Sequence, residues 1–280
     1  MQLMLLLLLL VAIVSCVQGE QNCSHCTPCD YKYCAEGMLP VGCIKPTGFS
    51  DKCGSSEHIF VPVDSQLREE ILFDVNMVRA RLASGLFNSS TGARMPTMMW
   101  DPELAHAAKV LIQECDHSKI CSNSAKYNYV ATVEISGGVC NSQSISEDFL
   151  HIILPEWLND VNGCNMNIRE GVTRKEMDSC VGHYIPLIQD RGNRMGCAMR
   201  LDVAAEPVPD GNEFANNRLV VICNLSRAHV NDMPHYEVSL VPGQECETGR
   251  HPFFEFLCDV NEDIDPNYVE PFGARVIKSE

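Results

Sequence analysis

Asp101-Pro102-Glu103-Leu104-Ala105 opens the stretch, running to Cys115, whose reading decides the fold. An aspartate at a helix start accepts hydrogen bonds from N–H groups that have no partner within the helix. A proline at the first helical position has no N–H to lose. Leu104, Ala108, Leu111 and Cys115 then recur on one helical face, which buries that stripe and aims Cys115 at a partner thiol. On the N-terminal side, Leu67, Ile71, Val75, Val78 and Leu82 repeat at spacings of four, four, three and four, with Asp64 or Ser65 as cap and Gly85 as stop. On the C-terminal side a third helix is expected from about Ser146 to Val161, with Phe149, Leu150, Ile153 and Trp157 inward and a kink at Pro155. Strand patterns lie at Tyr127–Ile135, Met195–Val203 and Leu219–Leu225, the last two joined by a polar Pro/Gly loop, as in an antiparallel hairpin with a long connection. Helices and short strands in mixed order make an α+β domain.

Across 280 residues, 45% are hydrophobic and 37 acidic side chains outnumber 21 basic ones, for a formal charge of -16. This excludes a disordered, collagenous or polytopic membrane chain, and argues against nucleic acid as a partner, since phosphate affinity comes mainly from clustered Lys and Arg. Leu3 to Val14 is an apolar run of twelve residues, too short for a transmembrane span but suited to a signal peptide over residues 1–19, cut before Glu20. The mature chain is therefore expected to be secreted and free of a transmembrane span. Loss of Cys16 leaves fifteen of the sixteen cysteines, which read as a disulfide framework in an oxidising compartment. Residues 20–60 form a loop-rich leader carrying Cys23, Cys26, Cys29, Cys34, Cys43 and Cys53. Cys23-x-x-Cys26-x-x-Cys29, with His25 inside it, has spacing suggestive of zinc, but secretion favours disulfides. Sequons occur at Asn22, Asn88 and Asn224; Asn88 sits in a polar loop, whereas Asn224 follows an apolar strand that tends to enclose it. Residues 259–280 form an acidic tail with Asp259, Glu262, Asp263, Asp265 and Glu270, expected to be solvated, and without the glycine turn of a calcium loop.

Several ordered blocks carry a resemblance. They are Cys29-x4-Cys34 with Cys43 and Cys53; Asn76-Met-Val-Arg79 in a helix ending Ala83-Ser-Gly85; and Met95-Pro-x-x-x-Trp100-Asp-x-Glu103-Leu-Ala105. They continue with Gly182-His183-Tyr184, Met195-Gly-Cys197-Ala198, Val220-Val-Ile-Cys223-Asn224 and the closing Cys246 and Cys258. In this order, over roughly residues 29–258, the chain resembles the insect antigen 5-related proteins of the cysteine-rich secretory, antigen 5 and pathogenesis-related superfamily. The resemblance implies an α-β-α sandwich over residues 61–258, with helices on both faces of a small antiparallel sheet. It also implies the pairs Cys29–Cys43, Cys34–Cys121, Cys53–Cys115, Cys197–Cys223 and Cys246–Cys258; of the cysteines left over, Cys164–Cys180 is expected as a local loop closure. Cys23, Cys26 and Cys140 then remain, and at least one is expected to be free or to link a partner chain.

The family's central cleft presents two histidines and two acidic or amide groups, and in several members it binds a divalent metal. Here His183 matches one histidine and Asp160 one acid, whereas Ser118 stands where the other histidine is expected, with His117 beside it. Thr132 stands where the second acid or amide is expected, with Glu134 two residues on and on the same strand face. About half of the cleft set is replaced. No Gly-x-Ser-x-Gly elbow occurs, and most thiols are expected to be crosslinked, so neither a serine nor a cysteine nucleophile is indicated. The expectation is a non-catalytic extracellular protein with no cofactor, binding a lipid, a small molecule or another protein. The alternative is a metal-dependent hydrolase that assembles His183, Asp160, His117 and Glu134 in a rearranged cleft.

Overall fold

Arg194–Val203 and Asn217–Leu225 pair as antiparallel strands β6 and β7, and their period-two alternation places two different cores on the two faces of one sheet. The computed structural model describes residues 25–54, 56–86, 90–139, 144–159, 183–203, 217–230 and 233–269. The remaining strands are β1 (Leu39–Pro40), β2 (Glu57–Val61), β3 (Met99–Trp100), β4 (Ile120–Cys121) and β5 (Ala131–Val139). The main sheet runs β2-β6-β7-β5, with β3 pairing parallel to β6; β1 and β4 form a separate parallel pair. Helix α1 covers Ser65–Ala83 and α2 covers Pro102–Glu114. A third helical segment consists of α3 (Ile145–Asp148), a π-helical turn (Phe149–Ile153) and α4 (Leu154–Asn159).

Ala198 and Ile222 face α2, where they meet Ala107, Ala108, Val110, Leu111 and Ile112. Cys197, Met199, Val221 and Cys223, one position on, face the larger core of Ile71, Val75, Phe149, Leu154 and Trp157. The chain is an α-β-α sandwich. Both long helices start on aspartate: Asp64 accepts from the Leu67 amide at 2.9 Å, and Asp101 from the amides of Glu103 and Leu104 at 2.8 and 3.0 Å. Gly85, at φ 82°, follows the last turn of α1.

Pro155 is the second residue of α4. It has no N–H to offer the carbonyl four residues back, and the segment widens into the π turn just ahead of it. Strand β5 begins at Ala131, four residues later than the pattern suggests, and continues through Gly137 and Gly138. Gly137 lies against Ile153, where a Cβ would come within 2.8 Å of the side chain, so the missing side chain makes room for helix packing. Tyr127, at the expected strand start, lies in a loop and donates its hydroxyl to Asp101 at 2.7 Å. Strand β2 crosses the expected leader boundary at residue 60, and it was not legible because only Val61 of its five residues is buried.

Among the described residues, the disulfide-bonded pairs include Cys29–Cys43, Cys34–Cys121, Cys53–Cys115, Cys197–Cys223 and Cys246–Cys258. Cys34–Cys121 and Cys53–Cys115 close separations of 87 and 62 residues and tie the leader to the end of α2 and the strand after it. Cys26 is disulfide-bonded as well, which removes it from the three cysteines among which the odd thiol was expected. Cys164–Cys180, Cys23, Cys140 and residues 1–19 lie outside the described residues.

The acidic segment needs correction. Glu262 is not solvated: its side chain is 1% exposed and accepts from Arg94 Nε at 2.5 Å, Thr248 N at 2.9 Å, Thr248 Oγ1 at 2.5 Å and Glu247 N at 3.0 Å. A carboxylate with four donors is stable out of water, so the fold extends past Cys258.

Gly196 shows how tightly α2 lies on β6. A Cβ there would meet Ala105 N at 2.2 Å and Asp101 O at 2.6 Å, both backbone atoms at the helix start. Gly196→Ala is expected to cost about 2–3 kcal/mol, because the helix must lift off the strand. A urea midpoint within error of the parent would show that α2 has slack there.

Candidate functional site

Thr132 lies on β5 directly opposite Asn224 of β7 and donates its hydroxyl to Asn224 Oδ1 at 2.7 Å. Asn224 Nδ2 in turn donates to the Leu104 carbonyl of α2 at 3.3 Å. The Thr132 hydroxyl is thus one link in a chain from strand to helix and is not presented to a ligand. Asn224 is 0% exposed, and its amide nitrogen is engaged. That corrects the sequon reading: a glycan on this nitrogen has no room. Asn22 and Asn88 lie outside the described residues.

Glu134, two residues along β5, is exposed and meets His117, whose Nε2 is 3.5 Å from Glu134 Oε2. His117 Nδ1 is buried without a hydrogen-bond partner. Ser118 turns the other way: its amide and hydroxyl both donate to Asp116 Oδ1, at 3.2 and 2.8 Å, and this pair of bonds holds the Asp116 carboxyl below its ordinary range. Ser118 therefore completes a local turn and leaves His117 as the side chain directed at β5.

His183 is exposed, not a histidine hydrogen-bonded into a cleft floor. Its backbone carbonyl carries the structural load, accepting from Trp157 Nε1 at 3.0 Å. Asp160 lies outside the described residues. Among the described residues, no group of three His, Cys, Asp or Glu side chains is placed to hold a metal. The structure brings His117 to Glu134, and it does not gather His183 with that pair. A catalytic zinc needs three protein donors and an open position, so the described residues do not fit the divalent metal that the resemblance implies. His117 and Glu134 amount to one ion pair.

A feature missed at the sequence level lies on the far side of α1. A groove of about 540 Å³ runs between α1 and the π turn, lined in part by Glu69, Glu70, Phe73, Asp74 and Leu150. The signal was present as apolar Phe73 amid acids on a helical face, but that face is opposite the buried stripe and reads as solvated.

Comparison with known proteins places these observations. The CAP family, described as the cysteine-rich secretory protein family, matches residues 72–225. The chain is similar to venom allergen-1 of Aedes albopictus, with 29% identity over 245 residues, covering 84% of this chain and 88% of that protein. It is similar also to tabinhibitin 3 of Tabanus yao, with 27% identity over 248 residues and coverages of 84% and 87%. Among solved structures, BmVAL-1 superposes with a TM-score of 0.51 at 18% identity, covering 70% of this chain and 95% of that one. NaASP2, solved with Zn2+, gives 0.50 at 17% identity, with coverages of 70% and 96%.

Proposed function

We infer the function of this chain from the cysteine-rich secretory protein family, CAP, to which it belongs: it is a secreted protein that acts by binding and not by turnover. The apolar run at Leu3–Val14 and the disulfide framework support export. No helix among the described residues is long and apolar enough to cross a membrane. The observation that carries the reading is the separation of His183 from the His117–Glu134 pair. A metal-bound water becomes a useful nucleophile only when its ligands are held together and oriented. What remains is a stapled scaffold whose grooves and loops suit a lipid, a small molecule or an extracellular protein. Cys23 or Cys140 is a further route to a disulfide-linked partner.

Titration with zinc, followed by calorimetry, tests this directly. The expected result is no binding at micromolar or tighter affinity, with no difference between the parent and His183→Ala. Micromolar binding that disappears in His183→Ala would promote the alternative, a metal-dependent hydrolase built on a rearranged cleft. Mass spectrometry of material that co-purifies with the native protein identifies the ligand under the binding reading.

A further inference from the structure

Among the described residues, Cys115 is the one non-glycine with a positive φ, at 59°. Its ψ is -37°, and the Asp116 amide donates across it to the Glu114 carbonyl at 2.6 Å, which closes a γ-turn of the rare hand. An L side chain is crowded in that turn, so the backbone is strained and its surroundings must hold it there. The Cys115 amide donates to the Leu111 carbonyl at 3.2 Å, and Cys115 Sγ is bonded to Cys53 in the 3-10 turn Asp51–Cys53. Opening that disulfide frees the turn to relax. Both cysteines are half-buried, which leaves the bond open to a small reagent.

The two sulfurs meet opposite surroundings. Arg200 Nη1 donates to Cys115 Sγ at 2.7 Å. The Ile112 carbonyl, 3.6 Å from the same sulfur, is itself taken by Arg200 Nη1 at 2.7 Å. The Arg200 side chain is only 9% exposed, and Asp202 fixes its fork by accepting from Nε at 2.6 Å and Nη2 at 3.1 Å, with His58 Nδ1 2.7 Å from the same carboxylate. A cation in contact with a sulfur favours its thiolate. Glu114 and Asp116 flank Cys115 and oppose that charge, but Asp116 is turned to Ser118, whereas the guanidinium acts in contact and out of water. Cys53 Sγ lies instead 3.4 Å from the Gln113 carbonyl, which suits a protonated thiol and disfavours its anion. In thiol–disulfide exchange the sulfur with the lower pKa leaves faster. Cys115 is therefore the leaving sulfur, and Cys53 the one attacked.

We propose that Cys53–Cys115 is a thiol–disulfide exchange site, at which a small aliphatic thiol of the glutathione class adds to Cys53 and releases Cys115 to Arg200. The incoming thiol gives its proton to solvent, and its thiolate attacks Cys53 Sγ. A mixed disulfide forms there, the Cys53–Cys115 bond breaks, and its electron pair stays on Cys115 as a thiolate. One thiolate enters and one leaves, so no further oxidant or reductant is needed. The leader remains docked, because the Ser50 amide still donates to the Gln113 carbonyl at 2.8 Å, Gln113 Nε2 to the Gly48 carbonyl at 3.2 Å, and Cys34–Cys121 persists. The modification is stoichiometric and independent of the binding reading above.

The test incubates the full secreted chain with reduced glutathione under native conditions, quenches with acid, traps thiols at low pH and maps the peptides. Cys29–Cys43 is the internal control, since its sulfurs are within reach of solvent but meet no such cation among the described residues. Glutathione is expected on Cys53 and the trap on Cys115, at least about tenfold faster than any opening of Cys29–Cys43. Arg200→Gln is expected to slow the opening at least about tenfold. Cys53→Ser leaves Cys115 beside Arg200, and its thiol is expected to titrate below the ordinary value of about 8.5. Opening of Cys29–Cys43 first or equally fast, glutathione on Cys115 in place of Cys53, or no exchange short of unfolding overturns the proposal. So does an unchanged rate in Arg200→Gln, or a Cys115 thiol in Cys53→Ser that titrates at or above about 8.5. The peptide map of the parent protein decides even if neither variant folds.

Discussion

Arg79→Met is expected to lower the stability of the folded chain by at least about 4 kcal/mol. Arg79 is 0% exposed in the C-terminal part of α1. Its guanidinium donates to the carbonyls of Pro96 at 2.8 and 3.1 Å, Leu187 at 2.5 Å, Gly192 at 3.0 Å and Gln189 at 3.3 Å. Burial pulls its pKa down to about 9, with Asp190 opposing, so it remains cationic at neutral pH. Methionine keeps the packing volume and strands four carbonyls, each of which costs about 1–3 kcal/mol when buried without a donor. Against a typical domain stability of about 5–15 kcal/mol, the variant folds poorly or is retained during export. Arg79→Lys is expected to recover only part, because an ammonium cannot reproduce a planar fork that reaches several carbonyls at once. Urea unfolding measures both, and a Met variant within about 1 kcal/mol of the parent would mean that water replaces the guanidinium.

The second large effect is a pH dependence hidden by compensation. Burial, reinforced by His229, lowers the pKa of His235 to about 3, and the ring is held by Gln189 Nε2 at 3.1 Å. Its folded pKa lies below the unfolded value of about 6.5, so the unfolded chain binds the extra proton and stability falls on acidification through that window. Burial raises Asp190 to about 6, partly offset by the Glu237 amide at 2.7 Å. Its folded pKa lies above the unfolded value of about 3.8, so stability rises on acidification between pH 6 and 4. Each contributes about 3 kcal/mol over this range, with opposite signs, and the parent protein is expected to show a nearly flat profile there. Asp190→Asn unmasks His235 and is expected to lose about 3 kcal/mol between pH 6.5 and 4. His235→Phe is expected to gain on acidification, whatever its baseline. Below about pH 4 the parent weakens too, because Glu262, held at about 2 by its hydrogen bonds from Thr248, Glu247 and Arg94 against the opposing effect of burial, loses its contribution as it protonates. Parallel profiles for the parent and Asp190→Asn between pH 4 and 6 would contradict this account.

The candidate site was only partly legible. The replacement of a cleft histidine by Ser118 and of an acid or amide by Thr132 is visible in sequence, and it pointed to a degenerate cleft. The exposure of His183 was not, because it depends on a contact in which Trp157 takes its backbone carbonyl and leaves the imidazole outside. His117 meets Glu134 on β5, a strand that pairs residue for residue with β7.

What the sequence by itself determined is whatever a local period or cap encodes: helices α1 and α2 with their aspartate caps, the β6–β7 hairpin, and two apolar faces per strand. These need only neighbours three or four residues away along a helix, or two along a strand. The tertiary structure alone decided the edge strand β2, the π turn ahead of Pro155, the burial of Glu262 and the groove behind α1. It also decided that Arg79, a charged residue in a helix, points inward to carbonyls more than a hundred residues away. The physical reason is the same in each case. A charge, an edge or a proline is tolerated by the groups that arrive to satisfy it, and those groups come from distant parts of the chain.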